Sequence, residues 1–227
     1  MKLKKIASLM LAGVMAVSML AGCATTSNEP EQPNQPEEPT ATGYSVEMAE
    51  NLSDAAKKDY IEFKDNNDDL AALKDALGNM SSVSIAHNAM VPQVVTPVVG
   101  WKDADTTEMI VDFVNSLDLV NTNVDYDWMF NNLTQANDVN ASKTVKYGLL
   151  YVIDGTVDVN KALKQVAGKM ENMLENLPNV NVSDTARYTY DYTVSASVVN
   201  KALEPFAGYT LSANFIAVTV TRVPTAA

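Results

Sequence analysis

"RYTYDYTVSASVV", residues 187 to 199, alternates in character at every step. Tyr188, Tyr190 and Tyr192 share one side of the chain with Val194, Ala196 and Val198, while Thr189, Asp191, Thr193, Ser195 and Ser197 share the other. A period of two is the signature of a β-strand. A face that passes from tyrosines into valine and alanine is one that looks into a core, with the tyrosine hydroxyls needing partners at its rim. If that face were open instead, the three rings would form a platform for sugar rings or an extended peptide. Tyr188, Tyr190 and Tyr192 are therefore candidate ligand contacts.

Working outward, "YTLSANFIAVTVTRV" (209 to 223) reads as a second long strand. Upstream, Val145, Tyr147, Leu149, Tyr151 and Ile153 alternate; Asp154-Gly155 is a favoured hairpin turn, after which "TVDV" could return as the partner strand. Between these strands, Asn160 could cap a helix with the stripe Leu163, Val166, Met170, Met173, Leu174 and Leu177, ended by Pro178.

The N-terminal half has a helical period. Met48, Leu52, Ala55, Ala56, Tyr60 and Phe63 recur at three- and four-residue steps, and Leu70, Leu73 and Leu77 mark a second helix stopped by Gly78. Asp105 and Glu108 make a capping-box pattern for a helix to Val120 with the stripe Ile110, Phe113, Val114 and Leu117. A looser helical turn is expected in "DYDWMFNNL". "SSVSIA" (81 to 86) looks like a strand, and Pro92 and Pro97 confine "MVPQVVTPVVGW" to a sheet edge or an irregular crossing. The pattern predicts an α+β fold: a helix-rich N-terminal half on one face of a mostly antiparallel sheet formed largely by the C-terminal half.

One echo runs through the C-terminal half. "VNKALKQVAG" from Val159 and "VNKALEPFAG" from Val199 agree at seven of ten positions. Either a strand-then-helix unit is duplicated, with Pro205 distorting the second helix, or the similarity is chance in a chain rich in these residues.

The first 43 residues have a different character. Lys2, Lys4 and Lys5 precede the apolar run from Ile6 to Leu20, which closes on small residues before Cys23, the only cysteine. This is the layout of a secretory signal. Leu20-Ala21-Gly22-Cys23 resembles the lipobox of bacterial lipoprotein precursors. The resemblance implies cleavage before Cys23 and diacylation of its thiol, leaving the protein held by lipid at the extracytoplasmic face of the cell membrane. An uncleaved transmembrane helix with an incidental cysteine is the competing reading. From Ala24 to Gly43, Pro30, Pro33, Pro36 and Pro39 stand three apart among four glutamates. Polyproline II has three residues per turn, so the prolines line one edge of an extended tether reaching roughly 60 Å at about 3.1 Å per residue. The expected organisation is thus a signal (1–22), a lipidated cysteine with a Pro/Glu-rich disordered tether (23–43), and one globular domain (44–227).

The chain has 16 basic and 28 acidic side chains, a formal net charge of −12. Such a surface repels phosphate backbones, which argues against nucleic acid and leaves membrane contact to the lipid. Catalytic and metal chemistry finds little footing. His87 is the only histidine and stands beside no nucleophile signature, and one cysteine supports neither disulfides nor a thiolate metal site. Asp65, Asn67 and Asp69 fit the first positions of a calcium loop, but Leu70 stands where glycine is needed and Ala76 where a bidentate glutamate is needed. "YVIDGTVDVNKAL" fails likewise at Leu150, Val152 and Lys161, and "NTNVDYD" lacks both glycine and a closing acid. No metal or cofactor is expected. Trp101 and Trp128 flank the capped helix and could form a recognition patch. The leading expectation is a non-enzymatic, lipid-anchored surface module that binds a protein or a cell-envelope component such as a glycan. The alternatives are a lipoprotein that captures a solute, sugar or peptide, and a carboxylate-based envelope hydrolase.

Overall fold

In a computed structural model, which describes residues 43–79, 93–98, 104–134, 140–182, 187–206 and 209–227, the elements follow one another as α1 (Tyr44–Glu50), β1 (Ile61–Phe63), α2 (Asn67–Asn79), β2 (Thr96–Pro97), α3 (Ala104–Ser116), α4 (Tyr126–Thr134), β3 (Val145–Asp154), α5 (Val159–Asn176), β4 (Val180–Val182), β5 (Arg187–Phe206) and β6 (Tyr209–Ala226). The lipobox and tether, "SSVSIA", His87, Trp101 and the side chain of Asp105 lie outside the described residues.

The two long alternating segments form the spine. β5 and β6 pair antiparallel from Tyr188–Ala226 to Leu203–Leu211, and β3 pairs with β6 from Val145–Arg222 to Asp154–Ala213. The sheet order is β1-β5-β6-β3-β2, with β4 also beside β5, and only β1 runs parallel to its neighbour.

This register corrects the expected hairpin after β3. "TVDV" does not return as a strand; it turns into α5, whose cap is Asp158 rather than Asn160, its carboxylate accepting from Lys161 N–H at 3.2 Å. Gly155 N–H instead donates to Ser212 O at 2.9 Å. A Cβ on Gly155 would lie 2.7 Å from the Ser212 carbonyl carbon, so a side chain there would push the two segments apart.

The α+β class is the observed one, but the helices lie on both faces of the sheet instead of one. Tyr147, Leu149, Tyr151 and Ile153 of β3, Ile216, Val218 and Val220 of β6 and Tyr190, Tyr192, Val194 and Ala196 of β5 are buried under α1, α4 and α5. Leu150, Phe215, Ala217 and Leu203 point the other way and are buried under α2 and α3. The reason is local. "LLY" in β3 and "FIAV" in β6 are apolar at successive positions, so both surfaces of the central strands must leave water. α5 packs its predicted stripe inward, with Leu163, Val166, Met170, Met173 and Leu174 all fully buried. Each such side chain contributes about 1.5–3 kcal/mol of transfer free energy.

The expected first helix is shorter than its periodicity suggested. α1 ends at Glu50, where the Asn51 amide donates to Glu47 O at 2.9 Å, and Tyr60 and Phe63 belong to the approach and end of β1. Asp65, from beyond β1, holds the start of α1 by accepting from Gly43 N–H (2.5 Å) and Ser45 N–H (3.0 Å). The echo is not a duplicated strand-then-helix unit: Val159–Leu163 opens α5, whereas Val199–Leu203 is in β5.

Much of both sheet edges is covered by short segments. Along β3, Val120 N–H donates to Lys146 O, the Asn121 amide makes two bonds to the backbone of Gly148 (2.6 and 2.9 Å), and Val98 N–H donates to Leu150 O. Pro97 sits on this edge, as its missing N–H requires. Along β5, Tyr190 N–H reaches Asn179 O, Tyr192 N–H reaches Tyr60 O, Lys64 N–H reaches Val194 O and Ala196 N–H reaches Ser45 Oγ.

Candidate functional site

The predicted tyrosines gather on the helix-covered face of β5, and their positions decide what they can do. Tyr190 and Tyr192 are each 2% exposed, so neither can serve as an open platform; Tyr188, nearer the strand end, is half-buried. Tyr192 donates its hydroxyl to Pro178 O at 2.8 Å, Tyr60 donates to Leu177 O at 2.7 Å, and Lys58 Nζ donates to Glu175 O and Leu177 O. Three donors thus satisfy carbonyls that the end of α5 leaves without helical partners. The rings are in contact too, with centroids 6.1 Å apart for Tyr60–Tyr192 and 6.2 Å for Tyr190–Tyr192.

Beside them lies Arg222, 1% exposed and facing Tyr192 across the β5–β6 ladder. Its guanidinium stands 4.6 Å over the Tyr190 ring and donates to Asn140 O at 3.0 Å. A cation over a ring face gains from the ring quadrupole, more so away from water. Tyr147 completes the group and meets Trp128, whose ring centroid is 6.0 Å away. Among the described candidate aromatics, Trp128 has the greatest exposure, at 42%. It covers the edge of the tyrosine cluster from α4, and its outer surface is available to a partner. Trp101 is not brought into this picture, because it lies outside the described residues.

Burial pushes the hydroxyls of Tyr151 and Tyr192 far above their ordinary range, with Arg222 pulling Tyr192 partly back. Both therefore stay neutral wherever the fold persists, which suits hydrogen-bond donation and packing, not proton transfer.

A second polar constellation lies on the opposite face. Asp69, in the first turn of α2, is 1% exposed; its Oδ2 accepts from Ser195 Oγ at 2.7 Å and Thr219 Oγ1 at 2.6 Å, and its Oδ1 meets Lys146 Nζ. Four residues from α2, β3, β5 and β6 converge here. Sequence reasoning missed the group because it weighed Asp69 only as a calcium-loop position and set that aside. The sequence shows Ser195, Thr219 and Lys146 as polar residues within strands, and nothing in their spacing joins them to Asp69.

The calcium-loop carboxylates are separated in use: Asp65 caps α1, while Asp69 is enclosed by Lys146 and two hydroxyls. Asp154, from the second loop, accepts from Thr156 N–H and Oγ1 and from the Gln93 amide. Among the described residues, no three His, Cys, Asp or Glu side chains are grouped to hold a metal ion, and no helix is long and apolar enough to cross a membrane. Comparison with protein-family models, with curated proteins and with solved structures gives no match.

Proposed function

We infer that this chain is a lipid-anchored, extracytoplasmic surface module that binds a protein or cell-envelope partner and catalyses no reaction. The observation that carries the reading is Leu20-Ala21-Gly22-Cys23, placed after three lysines and an apolar run and followed by prolines at a three-residue spacing. A diacylated cysteine supplies the two chains that stable anchoring needs, since each buried CH₂ contributes about 0.8 kcal/mol and one chain alone holds only marginally. The spacer then carries the domain away from the bilayer. How the domain uses its polar groups supports the binding side of the reading: Asp69, Tyr60 and Tyr192 are engaged in joining elements, and Trp128 presents an exposed ring surface.

Membrane fractionation of Cys23→Ala beside the native chain tests the anchor, together with mass measurement of the N-terminal peptide. Native protein should pellet with membranes and carry acyl mass on Cys23, and the variant should be soluble or remain as unprocessed precursor. Identical fractionation with no lipid on Cys23 sinks the proposal. A photoreactive group in place of Trp128 on intact cells tests the binding surface, with one recurrent crosslinked species expected. A thermal-shift screen of the chain from Ala24 onward separates this from solute capture. A solute at 100 times its dissociation constant adds about 2.7 kcal/mol, and such a shift would transfer the function to ligand capture.

A further inference from the structure

We propose that Lys146 and Asp69 condense to an amide, an internal cross-link that fastens α2 to the sheet. The two side chains are in contact and come from elements 77 positions apart in sequence. Asp69 is 1% exposed, and the Lys146 side chain retains 18% of its exposure. Holding a full ion pair out of water carries a desolvation penalty on each ion before the mutual attraction is counted. Condensation removes both charges and releases a water molecule to bulk, so the burial that disfavours the ion pair favours the amide.

The reaction needs no outside reagent. A proton passes from the ammonium to the carboxylate, giving amine and carboxylic acid. The Nζ lone pair attacks Cγ and the Nζ–Cγ bond forms. The Cγ–Oδ1 bond then breaks, and Oδ1, the oxygen in contact with Nζ, leaves as water carrying two protons that began on Nζ. Oδ2 stays as the amide carbonyl. Oδ2 is the oxygen held by the hydroxyls of Ser195 and Thr219, both 2% exposed. These donors are placed where negative charge grows on the carbonyl oxygen of the tetrahedral intermediate. Fixing amine and carboxyl in contact replaces a bimolecular encounter with a unimolecular one, worth effective molarities up to roughly 10⁵–10⁸ M in well-aligned systems. With Cys23 the only cysteine, a disulfide cannot make this link.

The chain contains its own control. Lys57 and Asp54 also form an ion pair, at 3.6 Å, but Asp54 is fully exposed, and there water keeps the charged pair.

The test is a tryptic mass map of the full chain, purified and then denatured. Lys146 in an amide resists cleavage, so residues 65–74 and 144–161 should appear as one branched peptide, about 18 Da lighter than the two combined. Lys57 and Asp54 should carry no such loss. Recovery of 65–74 and of a peptide ending at Lys146, both at full mass, would overturn the proposal without any variant. Lys146→Arg keeps the cation and should abolish the branched peptide; an 18 Da loss that persisted there would also overturn it. Ser195→Ala with Thr219→Val should raise the uncrosslinked fraction at least tenfold early after synthesis, and an unchanged fraction would remove the hydroxyls from the mechanism.

Discussion

Val-Asn-Lys-Ala-Leu occurs at 159–163 and again at 199–203, with the leucine buried in both copies but the backbone and the use of the alanine and lysine different. In α5 the alanine is fully buried while the asparagine and lysine face water. In β5 the alanine and asparagine are exposed, the Asn200 amide donates to Asn214 Oδ1 at 2.8 Å, and Lys201 folds over to Leu77 O at the end of α2. Burial pulls the Lys201 amine below its ordinary pKa. The flanks account for the split. Asp158 caps the first copy, and a 3.6-residue apolar stripe follows it. The second copy continues a strand already in register with β6, and Pro205 would remove a helical N–H and clash with the preceding turn. Intrinsic preferences of five residues span at most a few kcal/mol, and sheet preference depends strongly on neighbours, so pairing and capping decide.

That comparison can be sharpened or broken by paired substitutions. The largest effects should come from the shared feature: Leu163→Ala and Leu203→Ala should each lower unfolding free energy by about 2–5 kcal/mol in denaturant melts, with the fully buried Leu163 at the upper end. A loss confined to one copy would mean that the other leucine is not truly core.

Proline at the alanines should separate the two conformations. Ala162 N–H donates to Asp158 O, so Ala162→Pro should cost about 3 kcal/mol or more. On β5 the outward-pointing groups are those of Tyr192, Val194 and Ala196, and the same parity turns the Ala202 N–H away from β6. Ala202→Pro should therefore cost no more than about 1 kcal/mol, as edge positions allow. Equal costs would contradict the assigned conformations.

The flanks come next. Asp158→Ala should lose about 0.5–2 kcal/mol, the usual range for an N-cap. Pro205→Ala should leave the amides of 199, 201 and 203, which face β6, protected in hydrogen exchange. If those residues turned helical, Pro205 rather than pairing with β6 would be the determinant.

The smallest contrast concerns the lysines. Lys201→Ala should lower stability by about 0.5–1.5 kcal/mol through the lost bond to Leu77 O, whereas Lys161→Ala, exposed on α5, should leave the melt unchanged.

The same physics explains which parts of the fold could be read in advance. α5 and α3 were legible because their buried positions follow one period over ten or more residues, and a long period outweighs local accidents; β3 was legible on one face only, since Gly148 and Leu150 are buried between its alternating positions. The first helix was overextended because Tyr60 and Phe63 happen to continue its spacing, although Ile61–Phe63 pairs with Tyr192–Val194 more than a hundred residues away. The tyrosine face was correctly directed inward from its continuation into Val194, Ala196 and Val198. Arg222 was not placed among those rings: its parity puts it on the face of Val218 and Val220, but nothing along one strand shows which residues of the neighbouring strands will stand beside it. The Asp69 group was illegible for a related reason: its members come from four elements, and nothing in a linear spacing joins residue 69 to residues 146, 195 and 219.

By itself the sequence determined the α+β class, the inward direction of the tyrosine strand, the stripe of α5 and the confinement of Pro97 to an edge or an irregular crossing, since each follows from short-range stereochemistry. Tertiary structure alone decided that β3 pairs with β6, that both sheet faces are covered, that one "VNKAL" is helix and the other strand, and that a buried carboxylate meets a lysine beneath α2. These outcomes depend on which distant segments exclude water from one another. Hydrophobic burial is non-directional, so a sequence marks what must be buried before it shows against what.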